Sequence, residues 1–358
     1  MSFLLVETNQ IHDHKLNILN MFYNPEKIVL FDIETTGFAA EATMLYLIGC
    51  CYYDNGSYYI RQWFNDDGES EQQILHEFYE FTYDFDYIMS YNGNGFDIPY
   101  IDKKCKKYKL ANPFQGIESI DLYKIIKPYR NVFHIDNLKQ KSIELYLGIN
   151  RLDKYSGGDL IKIYNEYQKT HDEIKKKLLL QHNYDDIEGL LYCSCLLSIS
   201  KLKQGCIKVK NMNIVKNKLV FSLDLDYPIP KRIAISSNNI VLSCNNKEAT
   251  ISVPILEDEL KFFFDNYRDY YYLPSEDRAI HKSVATYVDK DYRQRATKDN
   301  CYVKKHGYFI TQLDAGIISG YKYYFDSKET YIELVDSFLQ DIDLINNYVK
   351  NILSIIID

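Results

Sequence analysis

The sequence lacks any C-x-x-C pair among its eight cysteines (50, 51, 105, 193, 195, 206, 244 and 301). That spacing excludes the common zinc modules, and a chain of 358 residues can bury a core without disulfide staples. The cysteines are expected to be reduced thiols, mostly buried. Long apolar runs are also missing. The longest, residues 44–53, is about half the ~18–20 residues of a membrane helix. Residues 1–7 have neither a basic region nor a long apolar segment, so no signal peptide is read and the expected location is cytoplasmic. No P-loop appears, which excludes a helicase motor, and no period of 20–50 residues repeats, which excludes solenoids and propellers. Positive charge is in deficit as well. A net charge of −8 argues against a protein that coats nucleic acid nonspecifically, though an enzyme with a local basic groove stays compatible with it.

The composition itself is that of a soluble globular protein, with 46% hydrophobic and 26% charged residues. Tyrosine is abundant, at 34 residues, alongside many Lys, Asn and Ile; this is the signature of AT-rich coding and not of a base-stacking surface. The length predicts two domains. Residues 28–34 form an apolar run that ends at Thr35-Thr36-Gly37, a strand closed by turn chemistry. Residues 45–53 and 57–64 flank Asp54-Asn-Gly56 as a hairpin. A helix follows from Ser70, with Ile74, Leu75, Phe78 and Phe81 at helical spacing, then a strand over 86–91 and a helix over 98–110. Residues 121–181 read as polar helix and 187–202 as an apolar helix. The order of elements predicts an α/β fold, a mixed sheet with helices on its faces.

Composition shifts near Lys201, where residues 201–218 hold six lysines and no acids. Domains are therefore expected at 1–205 and 206–358. The second is expected to be smaller, β-rich over 207–255 and helical at the end, with a helical basic stretch over 278–305 and an amphipathic helix over 330–356. In the basic stretch Tyr287, Tyr292 and Tyr302 interleave with eight basic residues, including Arg293 and Arg295, a mixture that suits a single nucleic-acid strand.

Three segments carry chemistry. In Phe31-Asp-Ile-Glu-Thr-Thr-Gly37 the alternation of a strand puts Asp32 and Glu34 on one face. Two such neighbours repel and lose hydration, and divalent cations offset both losses. In Tyr91-Asn-Gly-Asn-Gly-Phe-Asp97 a strand enters a glycine-rich turn, and Asp97 is placed to cap the following helix while presenting an oxygen to a cation. In His182-Asn-Tyr-Asp-Asp186 the four-residue spacing puts His182 and Asp186 on one helix face, where an imidazole can take a proton from water.

Taken in order over about 170 residues, these segments resemble the DEDD superfamily of 3′–5′ exonucleases. The resemblance is closest to the YprB-type ribonuclease-H-like exonuclease domain, and the Asn-Gly-x-Gly-Phe-Asp turn is also similar to the proofreading domain of family B DNA polymerases. It implies a ribonuclease-H-like mixed sheet in the first domain. It further implies that Asp32, Glu34, Asp97 and Asp186 bind two divalent cations, Mg²⁺ or Mn²⁺, and that His182 orients or deprotonates the attacking water. His182 stands four residues before Asp186, the spacing of the Tyr-type branch, and the acids Asp185 and Glu188 lie close enough to substitute. Thr35, Thr36 and Asn92 are implied to contact the terminal nucleotide. The activity implied is 3′–5′ exonucleolytic hydrolysis of single-stranded or frayed nucleic acid. The competing readings are a catalytically silent nucleic-acid-binding or scaffolding relative and a structure-selective endonuclease of ribonuclease H type.

Overall fold

The computed structural model describes residues 4–11, 19–151, 155–314 and 316–357. The chain divides into two compact units, Met1–Ser200 and Lys201–Asp358. Among the described residues no helix is long and apolar enough to cross a membrane.

Unit 1 is built on strands β1 (Leu4–Ile11), β2 (Ile28–Thr35), β3 (Leu45–Asp54), β4 (Ser57–Asn65), β5 (Tyr87–Ser90) and β6 (Glu118–Asp121). They form one mixed sheet in the order β1-β4-β3-β2-β5-β6. β1 through β2 pair antiparallel, and β5 and β6 run parallel to β2. The helices are α1 (Glu71–Thr82), α2 (Asp97–Tyr108), α3 (Leu122–Ile126), α4 (Arg130–Phe133), α5 (Gln140–Leu147), α6 (Gly157–Thr170), α7 (Glu173–Cys193) and α8 (Leu197–Lys203). The expected mixed sheet with helices on its faces is present. Two of its strands escaped the sequence pattern: β1, whose sequence LLVETNQI turns polar after three residues, and β6, only four residues long with two acids.

The two sheet faces bury different clusters. Phe31 and Ile33 of β2 join Trp63, Ile74, Phe78 and Ile101 under α1 and α2. On the other face Tyr46, Leu47 and Phe64 pack with Tyr164, Tyr167 and Leu179 of α6 and α7. Period-two alternation thus sends Asp32 and Glu34 toward the α7 side. The sequence pattern breaks α7 into a polar and an apolar stretch. It is one 21-residue helix, followed by a 3₁₀ turn and α8. The change in pattern marks a change in burial, because the residues from Ile187 onward are almost all enclosed.

Unit 2 contains β7 (Ile207–Val215), β8 (Lys218–Ser237), β9 (Ile240–Phe263), β10 (Tyr270–Leu273), β11 (Arg278–His281), α9 (Lys282–Ala285), β12 (Gln294–Arg295), β13 (Tyr302–Gln312), β14 (Thr330–Glu333), α10 (Asp336–Leu339) and α11 (Ile342–Ile356). Five strands form an antiparallel sheet in the order β14-β13-β9-β8-β7, and three short ones form a second, β11-β10-β12. The β-rich region over 207–255 is formed by β7, β8 and most of β9. Tyr-Pro-Ile-Pro at 227–230 and Asn245-Asn246 fall at register shifts of the β8–β9 ribbon and bend it without ending it. The basic stretch 278–305 is not helical; it is β11, one helical turn, β12 and the start of β13. Its β-branched and tyrosine content outweighs its lysines. The amphipathic helix begins at Ile342 and not at 330, because residues 330–333 complete the sheet as β14. All eight cysteines are free thiols, seven of them buried.

One buried ion pair fixes the loop between β2 and β3. Lys104 of α2, 1% exposed, lies with its Nζ 2.7 Å from Oε1 of Glu71 on α1. Glu71 also accepts from the Leu45 backbone N–H at 2.6 Å and the Tyr108 hydroxyl at 2.5 Å, while Lys104 donates to the Thr43 carbonyl. Lys104→Met leaves Glu71 charged and enclosed without its cation, which typically costs about 3–5 kcal/mol. Denaturant unfolding should show a loss of that size, and a loss under about 1 kcal/mol would contradict the pairing.

Candidate metal centre

The centre is assembled from β2, the turn after β5, the start of α2, and α7. Asp32 lies directly across the sheet from Gly49 of β3, and Gly49 lies across from Gln62 of β4. The missing side chain at Gly49 is filled from above by Asn183 of α7; a Cβ at Gly49 would stand 2.0 Å from its Oδ1. Asn183 accepts from Gln62 Nε2 at 2.9 Å and donates to Asp32 Oδ2 at 3.2 Å. The close approach of helix to strand thus sets the position of the first acid.

His182 and Asp186 share a helix face as their spacing predicts. Nε2 of His182 is 3.1 Å from Oδ2 of Asp186 and 3.7 Å from Oε1 of Glu34. The ligand atoms of Glu34, His182 and Asp186 all lie within 4.8 Å of one another, close enough to hold a metal ion. Asp32 and Asp186 also line one cleft of about 480 Å³ with Tyr91, Asn92, Tyr123, Lys139 and Gln140. The buried Tyr46 is near enough to Glu34 for that charge, after burial itself, to raise its hydroxyl pKa.

Asp97 differs from its expected place by one residue. It is the first residue of α2 and not its cap, and Phe96 in the capping position makes no side-chain cap bond. The buried Asp97 carboxyl accepts from backbone N–H groups, its own and that of Ile33, which puts it beside the acid-bearing strand. The turn before it is braced from β6. Asp121 accepts from the backbone N–H of Asn92 at 3.0 Å and of Asn94 at 3.3 Å, and it caps α3 as well. Asn92 has a φ of 65°, a left-handed conformation that asparagine tolerates better than most residues.

Other expected residues take quieter places. The Thr35 hydroxyl donates to the Gly37 carbonyl and Thr36 Oγ1 accepts from the Met44 N–H, so both close the loop after β2. Asp185 accepts from Gln181 at 2.6 Å, and Glu188 lies near Cys51 and Tyr184. In unit 2, Arg293 and Arg295 lie 4.9 and 5.4 Å from the Tyr271 ring centre, and Arg293 donates to the Ala285 carbonyl. Two participants carried no motif signal. Asn183 was visible only as a neighbour of His182, and Arg151, from a loop, pairs with Asp186 and with Glu144 of α5.

The electrostatics separate the acids. Burial, then the charges of Asp186, Asp97 and Glu34, push Asp32 well above the usual carboxylate range against the pull of His182. Burial raises Asp97 to about 7 despite its backbone hydrogen bonds. Burial also acts to raise Asp186, but His182 and Arg151 outweigh it and hold this acid below its ordinary value.

A family model described as the RNase_H superfamily matches residues 29–193. No curated protein matches the chain. Among solved structures, a family B DNA polymerase from the hyperthermophilic archaeon Pyrobaculum calidifontis is similar at 15% identity and a TM-score of 0.41. That match covers 75% of this chain and 39% of the polymerase chain.

The raised carboxyls give a pH signature. An acid with a raised folded-state pKa stabilises the protein fully below its unfolded value near ~4 and loses that contribution as pH climbs through the folded value. Without divalent cations, the contribution of Asp32 and Asp97 should therefore fade up to and beyond about pH 7. Asp32→Asn should raise the melting temperature of the cation-free protein at pH 8 and change it little at pH 4.5. Manganese should raise the wild-type melting temperature more at pH 8 than at pH 5.5, read by scanning fluorimetry. A larger gain at the lower pH would contradict the assignment.

Proposed function

We propose that this chain, whose residues 29–193 match a family model of the RNase_H superfamily, is a divalent-metal-dependent nuclease that removes nucleotides from the 3′ end of a single or frayed strand. The observation that carries the reading is the meeting of Glu34, His182 and Asp186 at a cleft whose lining includes Asp32 and Asp186. The four acids offer carboxylate oxygens only, which suits hard cations such as Mg²⁺ and Mn²⁺ better than softer metals. The crowding of Asp32 and Asp97 also fits a cation, since it is the natural compensation for acids held above their ordinary range. Asp32, Glu34, Asp97 and Asp186 would hold two such ions. Bound there, the ions would supply charge to the phosphoryl oxygens and acidity to water.

The chain's own residues divide the remaining work. His182 is the base or orienting group for the attacking water, and its contact with Asp186 fixes the ring. Asn92, Tyr123 and Lys139 on the cleft are placed for sugar, base and phosphate. Phe38, 89% exposed, sits edge-to-face 5.8 Å from Phe96, the neighbour of Asp97, and offers a stacking surface for a terminal base. The 3′ polarity rests on the order and content of the three motifs. Arg295, exposed beside Tyr271, is the proposed strand contact of unit 2, with Arg293 holding the platform in place.

End-labelled DNA and RNA oligonucleotides with Mn²⁺ test the reading. A ladder shortening from the 3′ end is expected, absent in Asp32→Ala. His182→Ala should slow cleavage by about 10²–10⁴-fold, the range of general base catalysis, while Mn²⁺ affinity measured by calorimetry changes far less. Internal cuts in a duplex would instead indicate an endonuclease, and strand binding with no cleavage a scaffold. Arg295→Gln should lower the slope of log affinity against log salt by about 0.7 on single strands, one lost phosphate contact. An unchanged slope would remove unit 2 from the interface.

A further inference from the structure

Behind Asp186 stands a bracket that the proposed chemistry does not use. Arg151 is 7% exposed and Glu144 1% exposed along their side chains. The guanidinium grips Glu144 along one edge, Nε on Oε2 and Nη2 on Oε1 at 2.6 Å. That two-point contact matches the arginine charge with one acid. Although burial opposes it, Glu144 and Asp186 together keep Arg151 firmly protonated. The remaining corner, Nη1, touches Oδ1 of Asp186. Gln140 ties the bracket to the helix, donating to Glu144 Oε1 at 2.9 Å and to the Asp186 carbonyl at 2.6 Å. Gly189 admits it, since a Cβ there would stand 1.9 Å from Glu144 Oε1.

The consequence falls on the two oxygens of Asp186. Oδ1 is committed to Arg151, while Oδ2 faces His182 in the metal-binding cluster. We propose that the Arg151–Glu144 bracket determines which divalent cation the centre takes, by engaging one oxygen of Asp186 so that only the oxygen beside His182 faces the cluster, and so favouring Mg²⁺ and Mn²⁺ over Ca²⁺. The inference rests on the metal-centre reading above. Calcium takes six to eight oxygens and gains from carboxylates that offer both, whereas magnesium keeps a tight octahedron with few protein ligands. A carboxylate pinned at one oxygen penalises the first ion and not the second. Arg151 and Glu144 together add no net charge, so the bracket acts on Asp186 by geometry as well as by the pull of the guanidinium.

Calorimetric titration of the full chain with Mg²⁺, Mn²⁺ and Ca²⁺ tests this. Arg151→Gln alone leaves Glu144 buried and unpaired, a destabilising change. The double variant Glu144→Met, Arg151→Met removes both charges together and keeps the net charge. In that variant the ratio of Ca²⁺ to Mg²⁺ affinity should rise at least about tenfold, the scale on which outer-sphere partners tune metal sites. Circular dichroism should stay unchanged. If the double variant does not fold, Arg151→Lys serves, because one ammonium cannot grip Glu144 twice and still hold Asp186; the ratio should shift the same way. An unchanged ratio in a folded variant overturns the inference while leaving the metal centre intact. A wild-type chain that binds none of the three ions overturns the metal-centre reading, and this inference with it.

Discussion

Two carboxylates two residues apart on a strand beneath a helix are the constraint on which unit 1 is organised. Asp32 and Glu34 cannot turn away from α7, because the alternate residues Phe31 and Ile33 are committed to the core on the other face. Moving charges out of water costs several kcal/mol each unless partners are supplied. The fold supplies two, Asn183 on Asp32 and His182 near Glu34, while the turn after β5 adds a further buried acid, Asp97. Gly49 is the concession the sheet makes. Any larger residue there would lift α7 off the strand, and with it Asn183, His182 and Asp186 together.

The parts of this arrangement that were legible in the sequence are those encoded by short-range geometry. Asp32 and Glu34 follow from the alternation of a strand, and His182 with Asp186 from the turn of a helix. Their meeting in space required only that β2 be central and α7 lie on its polar side. Arg151 was not legible, because its partner Glu144 is seven residues away across a loop and its partner Asp186 thirty-five, with no periodicity to link them. Asp121 was read only as the start of a polar helical region, and its service to the backbone of Asn92 and Asn94 is a contact between neighbouring strand ends that no local pattern announces. Thr35 and Thr36 show the converse. The resemblance implied substrate contact for them, and what the structure adds is that their hydroxyls bond within the loop that leads to β3.

Unit 2 was read less well because lysine content misled. Lysine has good helix propensity, but propensity is a weak prior and a two-residue period that buries one face overrides it. From Leu219 to Ile255 every second residue is largely enclosed over long spans, and the β8–β9 ribbon runs through Pro228, Pro230 and Asn246 by shifting register. The same burial logic turns 302–312 into β13, whose lysines stay at the surface and pair with Glu259, Asp277 and Glu333.

The metal centre is electrostatically lopsided, and that asymmetry has a structural origin. On the helix side, Asp186 is matched by His182 and by a guanidinium that is itself matched by Glu144. On the strand side, Asp32 and Asp97 have backbone and amide donors but, among the described residues, no Lys or Arg paired with them, and both are held above the ordinary carboxylate range. Neutral donors orient a carboxylate; they do not cancel its charge. The unmet demand for positive charge is therefore concentrated where β2 meets the turn after β5, while Asp186 is already ionised and fixed. Environments that push neighbouring acids apart in this way give each a different task. A cation entering the cleft would relieve the strand side most, and Asp186 is the ligand proposed to meet it from the helix side.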